Sequence, residues 1–130
     1  MKNILIFGAG SIGNHMTYAS IKLGHKVYIT DKNFAALERM KKKIYPKRYG
    51  KWNKNINQIS NSNLNKLNIF FDLIIIGTPP KTHIELLNKC KKMFKYDKIL
   101  IEKPLSSYLE NYNKLKNEKN LFCGYNHSVS

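Results

Sequence analysis

The chain is short of cysteine, arginine, acid and proline, and it has no long apolar run. Cys90 and Cys123 are the 2 cysteines among 130 residues. They lack C-x-x-C spacing and are too few for a disulfide framework. A small stapled secreted fold is thereby excluded, reduced thiols on a helix face and in a strand are expected, and the compartment implied is the cytosol. No metal site is expected. The apolar residues after Met1-Lys2 pass at once into Gly8 and Gly10, so they read as a strand and not as a leader. Ile69 to Ile76 is short and contains Asp72, so it is not read as a membrane span.

Acid is scarce as well: 8 acidic residues stand against 23 basic ones, giving a net charge of +15. Arg39 and Arg48 are the only arginines, and asparagine clusters from Asn53 to Asn68. Lysine and asparagine enriched together point to a coding bias more than to a selected basic surface. A positive field still attracts anionic ligands. Arg48, Tyr49, Lys51, Trp52 and Lys54 interleave cations with aromatics, as single-stranded nucleic-acid binders do. No recognised nucleic-acid module accompanies them, so nucleic acid is not the favoured partner.

What is present is concentrated in the first thirteen residues. Asn3 to Phe7 is an apolar run, the pattern of a parallel strand buried on both faces. Gly8-Ala9-Gly10-Ser11-Ile12-Gly13 follows, and then a helical pattern. This is G-x-G-x-x-G between a strand and a helix. Gly8 permits the sharp turn, Gly10 lets a pyrophosphate approach the backbone, and Gly13 lets the helix pack close to the strand. Unpaired N–H groups and the positive dipole end of the helix then face the phosphates. Asp31 closes the next strand, about 20 residues on, where a carboxylate accepts the adenosine ribose hydroxyls. The carboxylate favours NAD over NADP because it repels a 2′-phosphate, with Lys32 partly offsetting that repulsion.

Further along, helices are predicted over Ser11–Leu23, with Ile12, Met16, Ala19 and Leu23 as its apolar stripe, and over Asn33–Ile44, with Phe34, Leu37 and Ile44 facing the sheet. Gly24 caps the first, and Pro46 is expected to stop the second. Tyr49 to Trp52 reads as a short strand, Asn53 to Asn65 as a loop, and Leu64 and Leu67 as part of a short helix. Phe70 to Thr78 is the strongest strand. Thr82-x-x-Glu85 and Ser107-x-x-Glu110 read as capping boxes opening two helices. Lys98 to Ile101 and Leu121 to Tyr125 read as the last strands. The alternation implies a doubly wound α/β fold with a parallel sheet in the order 3-2-1-4-5-6 and one domain over residues 1–130. Gly8 to Gly13, Asp31, Thr78 to Pro80, Glu102 to Pro104 and Asn126 then share the carboxyl edge of the sheet, where ligands bind.

Three segments together resemble the nucleotide-binding half of the Gfo/Idh/MocA (glucose–fructose oxidoreductase, inositol dehydrogenase, MocA) family. They are the glycine turn, Thr78-Pro79-Pro80-Lys81-Thr82-His83, and Ile101-Glu102-Lys103-Pro104-Leu105. Gly124-Tyr125-Asn126-His127 is similar to the family's last strand. The resemblance implies a nicotinamide cofactor and a sugar-like or cyclitol hydroxyl as hydride donor or acceptor. It implies that Thr78 and Pro79 line the nicotinamide end, that Glu102 bonds the nicotinamide ribose, and that Lys103 is the catalytic residue between nicotinamide and substrate. Pro80, Pro104 and Asn126 complete the cofactor set, and His83 is either a cofactor contact or a helix-surface residue. The sequence departs from the family at Ser128 and Val129, where an Arg-Phe pair is expected, and one domain is expected over residues 1–130, with the family's second domain, which covers the nicotinamide and binds substrate, expected to be absent from them. The rival readings are a non-enzymatic nucleotide-binding module, half of a split enzyme with a partner subunit, and, more remotely, a basic nucleic-acid binder. A homo-oligomer is compatible with the leading reading.

Overall fold

Ile4, Ile6, Val27, Ile29, Ile74, Ile75 and Ile76 leave their strands with no polar face, so both faces must be covered. The computed structural model describes residues 1–101 and the strand Leu121–Cys123, and satisfies that demand. Strands β1 (Asn3–Phe7), β2 (Lys26–Thr30), β3 (Ile56–Gln58), β4 (Phe70–Ile76), β5 (Lys95–Ile101) and β6 (Leu121–Cys123) form a 6-stranded sheet in the order β3-β2-β1-β4-β5-β6. Every neighbouring pair is parallel. The register matches Phe7 with Thr30 and Ile76, and Ile76 with Ile101, so these strands end level with one another.

Helices α1 (Ser11–Lys22), α2 (Phe34–Arg39) and α3 (Tyr45–Tyr49) cover one face. There Leu37, Met40 and Tyr45 pack on Ile4, Ile6, Val27, Ile29 and Ile75. Helix α4 (His83–Met93) and the 3₁₀ turn Asn61–Lys66 cover the other face. Leu64, Leu87, Cys90 and Phe94 pack there on Leu5, Phe7, Tyr28, Phe71, Ile74 and Ile76. Cys90 is fully buried, and burial pushes its thiol pKa up to about 12, consistent with an inert core residue.

Several local expectations are overturned. Pro46 does not stop the second helix. The π turn Met40–Ile44 joins α2 to α3, and the Tyr45 N–H donates to the Met40 carbonyl five residues back. This wider turn admits the proline ring, which sits in the first turn of α3 where its missing N–H is tolerated. The helix ends at Gly50, at φ 94°, so Tyr49 to Trp52 is not a strand. The third strand lies at Ile56–Gln58, inside the expected loop, and Leu64 sits in a 3₁₀ turn with Leu67 just past it. Phe34 is exposed and Ile44 half-buried, while Met40 and Tyr45 take the sheet-facing places. Helix α1 buries Gly13, Asn14, Thr17 and Ser20; of the expected stripe, Met16 is half-buried and packs on the core and Ala19 is half-buried, while Ile12 and Leu23 are exposed. Its buried hydroxyls satisfy themselves on their own helix: Thr17 Oγ1 donates to the Gly13 carbonyl and Ser20 Oγ to the Met16 carbonyl, at 2.8 and 2.7 Å. Strand β5 starts at Lys95, three residues earlier than expected, because Phe70 and Phe71 pair with Lys95 and Tyr96. The expected helix opened by Ser107-x-x-Glu110 lies outside the described residues.

The aromatic–basic patch is not laid out for base stacking. Tyr49 stacks on Tyr18 at 4.6 Å, and Trp52 meets Tyr45 edge-on at 5.3 Å, so the rings pack against one another.

Phe71 anchors the α4 face, with edge contacts to Tyr28 at 5.7 Å and to Phe94 at 5.6 Å. Phe71→Ala is expected to cost about 3–5 kcal/mol in urea unfolding. A loss below about 1 kcal/mol would show that this face collapses to fill the gap.

Candidate functional site

Three turns meet at the carboxyl edge, those after β1, β2 and β4. The first is the glycine turn. Gly8 adopts φ +106°, and a Cβ on it would lie 2.9 Å from the Gly77 carbonyl oxygen. A Cβ at Gly13 would collide with the carbonyl oxygen of Gly8. At Gly10 a Cβ would meet nothing within 4 Å, so this is the open side of the turn. Gly10 is also the N-cap of α1, which has no side-chain cap and no acid in its first turn. The N–H groups at this helix start face outward with an uncompensated positive dipole end.

Two side chains hold the turn. Asn14, fully buried, donates from Nδ2 to the carbonyls of Ala9 and Gly10 at 3.1 and 2.7 Å. Asp31 accepts through Oδ2 from the Ala9 N–H, and through Oδ1 from the Asn33 N–H, both at 2.8 Å. These two bonds leave acceptor capacity on both carboxylate oxygens, enough for a pair of ribose hydroxyls.

The third turn follows β4. Thr78 Oγ1 lies 2.6 Å from Thr82 Oγ1, which donates to the Pro79 carbonyl at 2.7 Å. Thr82 is thus engaged on its N-terminal side and caps no helical N–H, so the expected capping box is not formed. Pro80 opens the short 3₁₀ turn Pro80–Thr82 that leads into α4. His83 is fully buried, not on the helix surface, and its Nε2 sits 2.8 Å from the Thr78 carbonyl. A carbonyl only accepts, so Nε2 carries the proton and Nδ1 is the bare nitrogen. Nδ1 has no hydrogen-bond partner among the described residues. Burial pushes the His83 pKa down, with the Thr78 bond opposing it, so the ring is neutral at pH 7.

Between these turns lies a cavity of about 360 Å³. It gathers Gly8, Gly10, Asp31, Lys32, Thr78 and Pro79, all anticipated from sequence. It does not include Ser11, Ile12, Gly13, Pro80 or His83: Ser11 and Ile12 are exposed on the first turn of α1, and Gly13 and His83 are packing positions. Glu102, Lys103, Pro104 and Asn126 lie outside the described residues. The wall also contains groups the sequence reading missed: Thr30, Asn61, Glu85, Leu86 and Lys89. Thr30 Oγ1 is buried and has no partner among the described residues, which fits a polar ligand in the cavity. Their types carry no local motif, and only the fold brings them together. The donor and acceptor set suits a dinucleotide: an uncapped helix start for the diphosphate, a carboxylate for a ribose, and an apolar shelf at Leu86 and Phe7 for a base. Among the described residues no group of three His, Cys, Asp or Glu side chains is placed to hold a metal, and no helix is long and apolar enough to cross a membrane.

Residues 2–121 match the family described as "Oxidoreductase family, NAD-binding Rossmann fold", the Gfo/Idh/MocA family. No curated protein shows a significant sequence match. Among solved structures, a myo-inositol dehydrogenase from Corynebacterium glutamicum is 19% identical, with a TM-score of 0.64 over 95% of this chain and 36% of its own. The WlbA dehydrogenase from Thermus thermophilus, solved with NAD and UDP-GlcNAcA, is 16% identical, with a TM-score of 0.60 over 95% of this chain and 41% of its own. A D-mandelate dehydrogenase, solved with NADH and anilino(oxo)acetate, is 21% identical, with a TM-score of 0.66 over 94% of this chain and 40% of its own. At such identities the likeness is one of fold. The chain spans well under half the length of each of these three proteins.

The neutral, buried state of His83 has a pH signature. The unfolded ring takes a proton near pH 6.5, whereas the folded ring resists it, so stability is fully present above about 6.5 and falls as the pH drops toward the lower folded value. Urea unfolding is expected to lose up to about 1.4 kcal/mol per pH unit in that range, and His83→Gln to flatten this slope. Equal slopes in the two proteins would remove His83 as the source.

Proposed function

As the chain belongs to the Gfo/Idh/MocA oxidoreductases and carries their NAD-binding Rossmann domain, we propose that it holds NAD(H) for hydride exchange with a sugar-like or cyclitol hydroxyl carbon. One observation carries the cofactor reading: the uncapped start of α1 at Gly10 and the Asp31 carboxylate border the same cavity. In this reading the first-turn N–H groups of α1 bind the diphosphate, and Asp31 accepts the adenosine ribose hydroxyls while keeping its bond to Ala9. Thr78 and Pro79 border the path toward the nicotinamide, on a turn held by Thr82 and His83. A bound nicotinamide supplies the hydride acceptor or donor. Lys103 is assigned the place beside the substrate hydroxyl, where an ammonium favours the alkoxide, and Glu102 a nicotinamide ribose hydroxyl; both assignments rest on the Glu-Lys-Pro motif. We place the protein in the cytosol, on the strength of its reduced buried thiol.

The proposal is tested by calorimetry. NAD(H) is expected to bind more tightly than NADP(H), because Asp31 repels a 2′-phosphate, and Asp31→Ala is expected to narrow the ratio about tenfold. The reverse preference, or an unchanged ratio in the variant, would take the ribose role from Asp31.

Residues 1–130 by themselves are expected to bind cofactor with little or no turnover on a panel of polyols. Catalysis needs groups that position the substrate and keep water from the nicotinamide, and the nucleotide-binding half alone supplies too few. Robust NADH formation by this chain alone would refute that claim and identify it as an enzyme in its own right.

A further inference from the structure

We propose that Arg48 is a phosphate-binding residue of the dinucleotide site, closing the diphosphate from the side opposite the cavity. This rests on the dinucleotide reading above and adds to it a contact from a segment outside the glycine turn.

The argument begins with how Arg48 reaches the turn. It lies in α3, which extends α2 through the π turn Met40–Ile44 and past Pro46. Were the helix to stop at Pro46, Arg48 would not belong to it. Instead α3 is braced on α1 by aromatic contacts: Tyr49 stacks on Tyr18 at 4.6 Å, and its hydroxyl lies 3.4 Å from His15 Nδ1. The braced segment brings Arg48 Nη1 to 3.0 Å from Ser11 Oγ.

Ser11 is the first residue of the uncapped helix α1. Its backbone N–H is among those assigned to the diphosphate, so an anion bound there comes within a few ångströms of the guanidinium. The Ser11 contact uses one of five guanidinium donors, in a planar fork that suits phosphate oxygens. Both Arg48 and Ser11 are exposed to an incoming ligand.

A second observation fixes the ligand's direction. The buried Thr30 hydroxyl, without a partner among the described residues, lines the cavity on the α4 side of the sheet. Gly10 borders the same cavity, and Ser11 follows it on the side facing α3. A nucleoside placed in the cavity therefore runs its diphosphate across Gly10 toward Ser11. Arg48 waits there, where lysine would offer only a point charge.

The test is calorimetry on the full chain with NAD⁺, ADP-ribose and adenosine. Arg48→Gln is expected to weaken NAD⁺ and ADP-ribose about tenfold, the scale of one charge-assisted hydrogen bond, and to leave adenosine unchanged. Arg48→Lys is expected to fall between wild type and Arg48→Gln. Arg39→Gln, which removes the other arginine from the outer face of α2, is expected to bind like wild type and so excludes a net-charge effect. Unfolding midpoints of the ligand-free proteins report on the fold; should Arg48→Gln fail to fold, Arg48→Lys alone decides, and wild-type affinity in it overturns the proposal. Wild-type affinity in a folded Arg48→Gln, or equal losses for adenosine, also overturns it. Failure of the wild-type chain to bind any of the three ligands sinks the dinucleotide reading itself, and the role of Arg48 with it.

Discussion

At Gly13 the first helix meets the backbone of Gly8, the residue that follows the first strand. A Cβ at that position would collide with the Gly8 carbonyl oxygen, so no other residue permits α1 to lie this close to β1. The approach sets where the helix starts, and the start of the helix sets where its unsatisfied N–H groups point. Gly8 adds a second constraint of the same kind, since its left-handed φ of +106° and its nearness to Gly77 tie the turn after β1 to the turn after β4. The sheet register does the rest: Phe7, Thr30 and Ile76 end level, and the turns that follow them have nowhere to go but the same edge.

Backbone this irregular needs its polar groups accounted for. Asn14 takes up two carbonyls of the glycine turn, and Asp31 takes up the Ala9 N–H. His83 does the same for the Thr78 carbonyl on the other side of the crevice. Asn14 and His83 do so from helices and Asp31 from the position just past β2, which leaves the groups facing the cavity pre-oriented. Asp31 is then bound to two features at once, the glycine turn and the ribose site assigned to it. A substitution there disturbs both, so a loss of affinity at Asp31 does not by itself separate direct contact from turn geometry. The ratio of two cofactors that share a diphosphate does separate them.

Local patterns in the sequence revealed the frame but not the wall of the site. β1 and β4 stood out because continuous branched apolar runs have few other uses, and the glycine spacing is read from three adjacent steric demands. The apolar stripe assigned to α1 failed at its ends, Ile12 and Leu23, because the buried positions of that helix are taken by Gly13 and by Thr17 and Ser20, whose hydroxyls bond back to their own helix. The rule that proline ends a helix failed at Pro46 because it assumes α geometry, and the π turn at Met40–Ile44 escapes that assumption. Thr82-x-x-Glu85 has the letters of a capping box, but Thr82 is engaged by Thr78 and Pro79 instead. Thr30, Asn61 and Lys89 were invisible for a different reason. Each comes from a separate segment with no periodic or motif signal, and only the tertiary fold makes them neighbours.

The large positive charge is a poor guide to the site for a related physical reason. Nearly all of it is lysine spread over the surface, and such a field raises the local concentration of any anion without preferring one. Selectivity needs donors and acceptors fixed in direction. Those in this chain are mostly uncharged: the N–H groups of one helix start, a buried threonine hydroxyl, and carbonyls held in place by Asn14 and His83. Asp31 and Glu85 both border the cavity; in the reading proposed above it is Asp31 that works against the field, since it would lower the positive potential beside the ribose assigned to it. On that reading, strong overall positive charge and preference for the less charged of two anions are compatible, because the carboxylate at the end of β2 acts at the ribose while the lysine field acts everywhere.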